Sequence, residues 1–178
     1  MIEETPIHTY KGGLLAMRFV VRQKIFAFGD NFVIKDEYGK EHFMVKGKVF
    51  ALGDKLRVYD MAGQELFYIE QKLFRFLPEY TIYQSGRPMA KVKKEFTFFK
   101  PKFNITSDLG DFVIQGNYWA MDFSILKNGN LVASVSKKWF SFADTYGVDI
   151  VEGEDYGFLI TLVIVIDQVL HDNNHNNS

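Results

Sequence analysis

Turn glycines recur along this chain at nearly constant spacing, and each is followed by a branched apolar residue and then by an aromatic residue. The intervals between the glycines are 24, 23, 24 and 19 residues, and the branched residue lies six positions after the glycine in four of the five cases. A period of 20–50 residues indicates a repeated supersecondary unit. The repeat positions are Gly39, Gly63, Gly86, Gly110 and Gly129, then Val45, Ile69, Val92, Ile114 and Val135, then Phe50, Phe74, Phe96, Trp119 and Phe140.

Each repeat is predicted to be a β-hairpin. Alternating runs rich in β-branched and aromatic residues, such as 56–59 and 80–83, flank the glycines and are typical of half-buried strands. Segments 36–39 and 60–63 place Asp first and Gly fourth, which favours a type I turn, and Asn128-Gly129 is a strong hairpin dipeptide. With a degenerate sixth hairpin near Gly153, the sequence predicts about twelve antiparallel strands.

So many hairpins favour a closed antiparallel barrel, because closure removes the two exposed edges of an open sheet. At about twelve strands, however, wall side chains alone cannot fill the interior. The continuous apolar run 158–170 is the candidate to fill it. Its many Val and Ile residues favour a strand, whereas its length and position suit a helix, and the residues alone leave both possibilities open.

Composition limits the class of protein. The chain has 178 residues, which suits one domain, and a net charge of −1 argues against a general nucleic-acid binder. With no cysteine, a disulfide framework is excluded and a reducing, cytoplasmic location is expected. The N-terminus lacks a secretory signal pattern, and the apolar run 158–166 is shorter than the ~20 residues of a membrane-spanning helix, so no transmembrane segment is predicted.

Six runs along the chain carry a resemblance to a known family. They are Gln23–Phe26, Gly47–Asp54, Gln71–Phe74, Val135–Phe140, Asp144–Gly147 and Asp167–Asp172. These runs resemble the bacterial branch of the LURP-one-related family, within the superfamily of tubby C-terminal and phospholipid-scramblase-like domains. The resemblance implies a barrel of about twelve strands over residues 17–172 around a central apolar helix at about 156–171. It leaves 1–16 as an extension outside the family match and 173–178 as a disordered polar tail.

The family's known activities are not carried over to positions in this chain. Scramblases have a proline-rich N-terminus and acylated cysteines, whereas this chain has four prolines and no cysteine. The headgroup pocket of tubby domains cannot be matched residue by residue here.

The strongest candidate for binding is a basic stretch with six cations and one anion, Glu95, within 16 residues. Such a patch could hold anionic lipid headgroups or dock on a membrane surface, since each cation near an anionic bilayer contributes about 1 kcal/mol. The alternative is a solvated strand face that keeps a hairpin from aggregating. Lys46, Lys48, Lys72, Lys137 and Lys138 recur beside the repeat aromatics and are expected on outward strand positions. The predicted anionic-ligand residues are Arg87, Lys91, Lys93, Lys94, Lys100 and Lys102.

No catalytic motif is present, and the chain is predicted to be a non-enzymatic binding module without a cofactor. His171 and His175 have helical metal-ligand spacing but lack a third ligand, so no metal site is predicted. Two alternatives remain. One is a protein-interaction scaffold that uses Tyr10, Tyr38 or Trp139. The other is a small-molecule carrier or unrecognised enzyme with a pocket at the barrel mouth.

Overall fold

The computed structural model describes residues 7–9, 13–22, 31–48, 55–72, 77–95, 102–138 and 145–175. These residues form thirteen β-strands and one α-helix. The elements are β1 (Ile7–Thr9), β2 (Leu15–Arg22), β3 (Phe32–Asp36), β4 (Glu41–Lys48), β5 (Lys55–Asp60), β6 (Glu65–Gln71), β7 (Glu79–Gln84), β8 (Arg87–Glu95), β9 (Lys102–Ser107), β10 (Gly110–Asn117), β11 (Asp122–Lys127), β12 (Asn130–Ser136), β13 (Thr145–Val151) and α1 (Tyr156–His175).

Twelve strands, β2 to β13, form a closed antiparallel barrel, as the repeat predicts. From β3 to β13 each strand pairs with the next along the chain, β13 pairs with β2, and β2 pairs with β3. The β2–β3 pairing closes the barrel through two residue pairs, Phe19 with Asp36 and Val20 with Lys35. Beside them, β1 pairs with residues 15–17 of β2. The N-terminal extension therefore adds a thirteenth strand to the sheet at the closing seam.

The hairpin turns have the chemistry that the sequence predicts. Gly39 and Gly63 have φ angles of 87° and 86°, and each donates its N–H to the carbonyl of the Asp three residues earlier. Asn128 and Gly129 both have positive φ, as a two-residue hairpin turn with the right twist requires. These turns join β3–β4, β5–β6, β7–β8, β9–β10 and β11–β12, and so lie together at one end of the barrel. We call this the turn end and the opposite end the loop end.

The apolar run forms α1, which enters the barrel at the turn end, after β13. Its residues from Phe158 to Ile166 are all buried, because they fill the interior that the wall leaves open. Asp155 caps its first turn by accepting the Phe158 N–H at 2.9 Å. Burial on every side outweighs the strand propensity of Val and Ile. The structure thus confirms the mainly β barrel with one C-terminal helix.

The predicted end of this helix is wrong. The helix continues beyond 171 to His175, so residues 173–175 are helical rather than part of a disordered tail. Once the buried turns have nucleated the helix, each added residue costs little, and polar Asn and His residues can extend it. Residues 176–178 lie outside the described part of the chain.

Candidate functional site

The predicted basic residues of β8 are spread along the whole length of this strand. Strand β8 runs from the turn end, where Arg87 lies, to the loop end, where Glu95 lies. The two residues are roughly 26 Å apart at a rise of about 3.3 Å per residue. Lys91 and Lys93 are exposed on the outer wall, whereas Val92 between them is buried inside the barrel. The structure therefore separates Arg87 from the cations at the other end of the strand.

The remaining predicted cations are near the loop end or outside the described residues. Lys102 is the first residue of β9 and pairs with Glu95 across the sheet. Lys100 lies outside the described residues. The backbone therefore groups Lys93, Lys94 and Lys102 at the loop end of β8 and β9.

Ion pairs partly compensate the charge on the outer wall. Glu79, on β7, is nearly buried and contacts two cations, Lys72 Nζ at 3.3 Å and Lys93 Nζ at 3.7 Å. Among the described side chains, this carboxylate thus faces two ammonium groups.

Lys94 differs from its neighbours because its side chain is half-buried. Its Nζ lies 5.5 Å from the ring centroid of Trp119, a cation–π contact between β8 and the β10–β11 connection. Burial lowers the pKa of Lys94. The indole itself remains 51% exposed. An exposed aromatic ring and an adjacent lysine thus lie together at the loop end.

The lysines that recur beside the repeat aromatics have the outward placement that was expected, as far as their side chains are described. Lys46 Nζ lies 5.0 Å from the centroid of the Tyr59 ring on the neighbouring strand. Lys138 is exposed and pairs with Asp122 at 2.8 Å. The aliphatic parts of these two lysine side chains thus lie along the outer wall, and their ammonium groups face solvent.

Charge is distributed unequally between the two ends of the barrel. The turn-end segments carry ten acidic residues and three basic ones, whereas the strand ends at the loop end carry eleven basic residues and four acidic ones. Because the whole chain has a net charge of −1, this asymmetry is a separation of charge rather than an excess of one sign. The turn-end segments are 36–41, 60–65, 84–87, 107–111, 127–130 and 151–155, and the loop-end segments are 20–22, 31–33, 46–48, 55–57, 70–72, 77–79, 93–95, 102–104, 117–122, 136–138 and 145–147.

A buried aspartate and a partly exposed histidine form a pair with a structural role at the turn end. The Asp36 carboxylate is fully buried, accepts the N–H groups of Tyr38 and Lys40, and lies 2.9 Å from His42 Nε2. Burial by itself raises the pKa of Asp36, but these hydrogen bonds, led by that of His42, outweigh it and lower the pKa. The pair fixes the β3–β4 turn beside the closing seam.

Two further polar groups lie inside the loop-end half of the barrel. Asp167, on α1, is fully buried, and so is Tyr146 at the start of β13. Burial and the charge of Asp167 raise the pKa of Tyr146 far above its usual value.

The predicted metal pair, His171 and His175, falls on the last turns of α1. The described residues contain no group of three or more metal-ligating side chains.

The interaction and pocket alternatives are only partly covered by the described residues. Tyr38 is 74% exposed at the turn end, whereas Tyr10 and Trp139 lie outside the described part of the chain. A depression of about 370 Å³ lies between β8 and β9 near the turn end, lined in part by Pro88, Lys91 and Asp108. In the part of the chain that the structure describes, no helix has the length and hydropathy that a membrane span requires.

Comparison with known proteins decides the family. The model of the LURP-one-related family matches residues 17–167, most of the chain. The chain belongs to the LURP-one-related family. This LURP-one-related chain is 40% identical over 152 residues to the uncharacterized protein YxjI of Bacillus subtilis (strain 168), an alignment that covers 85% of this chain and 93% of that protein.

The fold of this LURP-one-related protein also occurs in a plant. The X-ray structure of a protein from Arabidopsis thaliana superposes with a TM-score of 0.65 at 21% identity, over 86% of this chain and 91% of the plant chain. At that identity the likeness shows the barrel fold alone. The names of these two relatives include no ligand, so the function has to be argued from the site.

Proposed function

We propose that this LURP-one-related protein is a non-enzymatic binding module whose loop end recognises an anionic surface, most directly the lipid headgroups of a membrane. The observation that supports the proposal is the separation of charge between the two ends of the barrel. In this proposal the protein is a tubby-like module that binds peripherally at the cytoplasmic face of a membrane.

The separation of charge favours one orientation on an anionic surface. A chain of net charge −1 gains nothing from an anionic membrane on average, but with its loop end towards the surface it brings cations close and keeps its acidic turns away. The Debye length is about 8 Å at physiological salt, so only charges near the surface contribute. Each of these cations contributes about 1 kcal/mol.

Two matched charge variants test the proposal by cosedimentation with vesicles of graded anionic lipid content. Lys93→Gln with Lys138→Gln removes two exposed cations from the loop end, and Lys40→Gln with Arg87→Gln removes two exposed cations from the turn end. The net charge changes equally in both. We expect the loop-end variant to bind about 10- to 30-fold more weakly, from about 1 kcal/mol per cation, and the turn-end variant to bind as the wild type does.

Arg87 makes this comparison sharp, because it belongs to the predicted basic stretch but lies at the turn end. Equal losses in the two variants would show that net charge, rather than the loop end, governs binding. No binding of the wild type at low salt, at any anionic lipid content, would overturn the proposed function.

A further inference from the structure

The β10–β11 connection places a tryptophan side chain at the surface of the barrel. It is a single 3-10 turn, Tyr118–Ala120, and Trp119 is its central residue. Asn117 caps the turn by accepting the Ala120 N–H at 3.2 Å, and Met121, with a φ of 50° and no exposed surface, fixes its far side. A large apolar side chain thus lies half in solvent on a turn that has a side-chain cap.

The strand before this turn also requires a special residue. Gly116 has a φ of 126°, and a side chain there would place its Cβ 2.7 Å from the carbonyl oxygen of Asp122 and 2.8 Å from Phe123 Cα. Only glycine permits this close approach of β10 to β11. Gly116 therefore lets the two strands lie close together directly before the turn that carries Trp119.

One cation lies against this indole, and a second lies on the strand beside the turn. Lys94 Nζ contacts the ring face, and Lys138 is ion-paired with Asp122, the first residue of β11. In sequence the repeat also places an aromatic residue in the β4–β5, β6–β7, β8–β9 and β12–β13 connections, so each of these loop-end connections carries one. Trp119 is the one that falls within the described residues.

From this geometry we infer that Trp119 is an interfacial anchor that enters the headgroup layer of an anionic membrane, with Lys94 and Lys138 at the level of the lipid phosphates. Indole rings favour the membrane–water boundary because their apolar body and N–H group suit its two sides. Neighbouring lysines add attraction to anionic headgroups. This inference rests on the proposed function and adds the residue that contacts the lipid and the orientation of the barrel.

Trp119 fluorescence provides a direct test. The chain has two tryptophans, so Trp139→Phe leaves Trp119 as the only one. We expect its emission to shift to shorter wavelength on vesicles with anionic lipid, and to be quenched by lipids brominated on their acyl chains. An unchanged spectrum while the protein cosediments with the vesicles would overturn the anchor.

Substitution gives a second readout that does not depend on the Trp139 variant. Trp119→Ala should weaken partitioning into anionic vesicles by roughly 10- to 100-fold, since about half of an indole would lose its apolar contact with lipid. Trp119→Phe should recover part of this loss. The matched control is Tyr38→Ala, which removes an aromatic ring that is 74% exposed at the opposite end, and we expect it to change partitioning less than about twofold.

The outcomes separate the two ideas. Wild-type binding that needs anionic lipid but is unaffected by Trp119→Ala would overturn the anchor and leave the proposed function in place. If the wild type binds no vesicles, both are wrong.

Discussion

Replacing Arg18 by Met should strongly destabilise the barrel. Arg18 on β2 and Asp149 on β13 are directly paired across the sheet. The guanidinium makes a bidentate contact, Nε to Oδ1 at 2.8 Å and Nη2 to Oδ2 at 3.0 Å. The Asp149 side chain is fully buried, and the Arg18 side chain is 20% exposed. Arg18→Met would therefore leave a buried carboxylate without its guanidinium.

The size of the expected loss in unfolding free energy follows from the burial of the Asp149 carboxylate. Removal of one partner from a buried ion pair costs about 3–5 kcal/mol, a large part of the 5–15 kcal/mol that stabilises a typical domain. Lys138 and Asp122 form a pair of equal length, 2.8 Å, but both side chains are exposed. Lys138→Met should cost about 0–1 kcal/mol, because exposed pairs are screened by water and salt.

Urea unfolding, followed by circular dichroism, measures both losses. The double variant Arg18→Met with Asp149→Leu should recover most of the stability that Arg18→Met loses, because an apolar pair can replace a buried ion pair at little cost. The reasoning is refuted if Arg18→Met and Lys138→Met have similar unfolding free energies. It is also refuted if the double variant is no more stable than Arg18→Met alone.

Three further predictions concern the wall, the central helix and acid stability. Gly47→Ala should destabilise the barrel by about 1–3 kcal/mol in urea unfolding, because the new Cβ would lie 2.5 Å from the backbone oxygen of Lys55. Ile164→Ala should cost about 2–5 kcal/mol in the same assay, because it opens a cavity in a fully buried part of the helix. The lowered pKa of Asp36 means that its contribution is present above about pH 4 and is lost as the pH falls through the folded-state pKa. Asp36→Asn should therefore reduce the fall in unfolding free energy between about pH 4 and pH 2, and an unchanged acid dependence would contradict the assignment.

The fold was largely predictable because its signals are local. The turn glycines are visible in the sequence, and the structure shows that Gly39 and Gly63 adopt the positive φ that their turns require. Because such turns recur along the chain, they also predict the number of hairpins. The central segment 158–170 was recognisable as buried, but Val and Ile favour strands, and only tertiary burial makes it a helix. Its extension to His175 could not be predicted, because polar residues give no clear stop signal.

The site was less predictable because it depends on contacts between distant strands. Lys94 on β8 contacts Trp119 in the β10–β11 connection, and nothing near either one in sequence indicates the other. The basic stretch looked continuous in sequence, yet one strand carries Arg87 and Lys94 to opposite ends of the barrel. The separation of charge could have been found from the sequence by grouping the charges according to the hairpin turn they flank.

The most direct test of the account is to find which end of the barrel meets an anionic membrane. The chain has no cysteine, so Ala120→Cys at the loop end and Ala62→Cys at the turn end can each carry one environment-sensitive fluorophore at an exposed alanine. On vesicles with anionic lipid, the account predicts a rise in fluorescence from the label at 120 and none from the label at 62. A response from the label at 62, or binding with no response at 120, would contradict it.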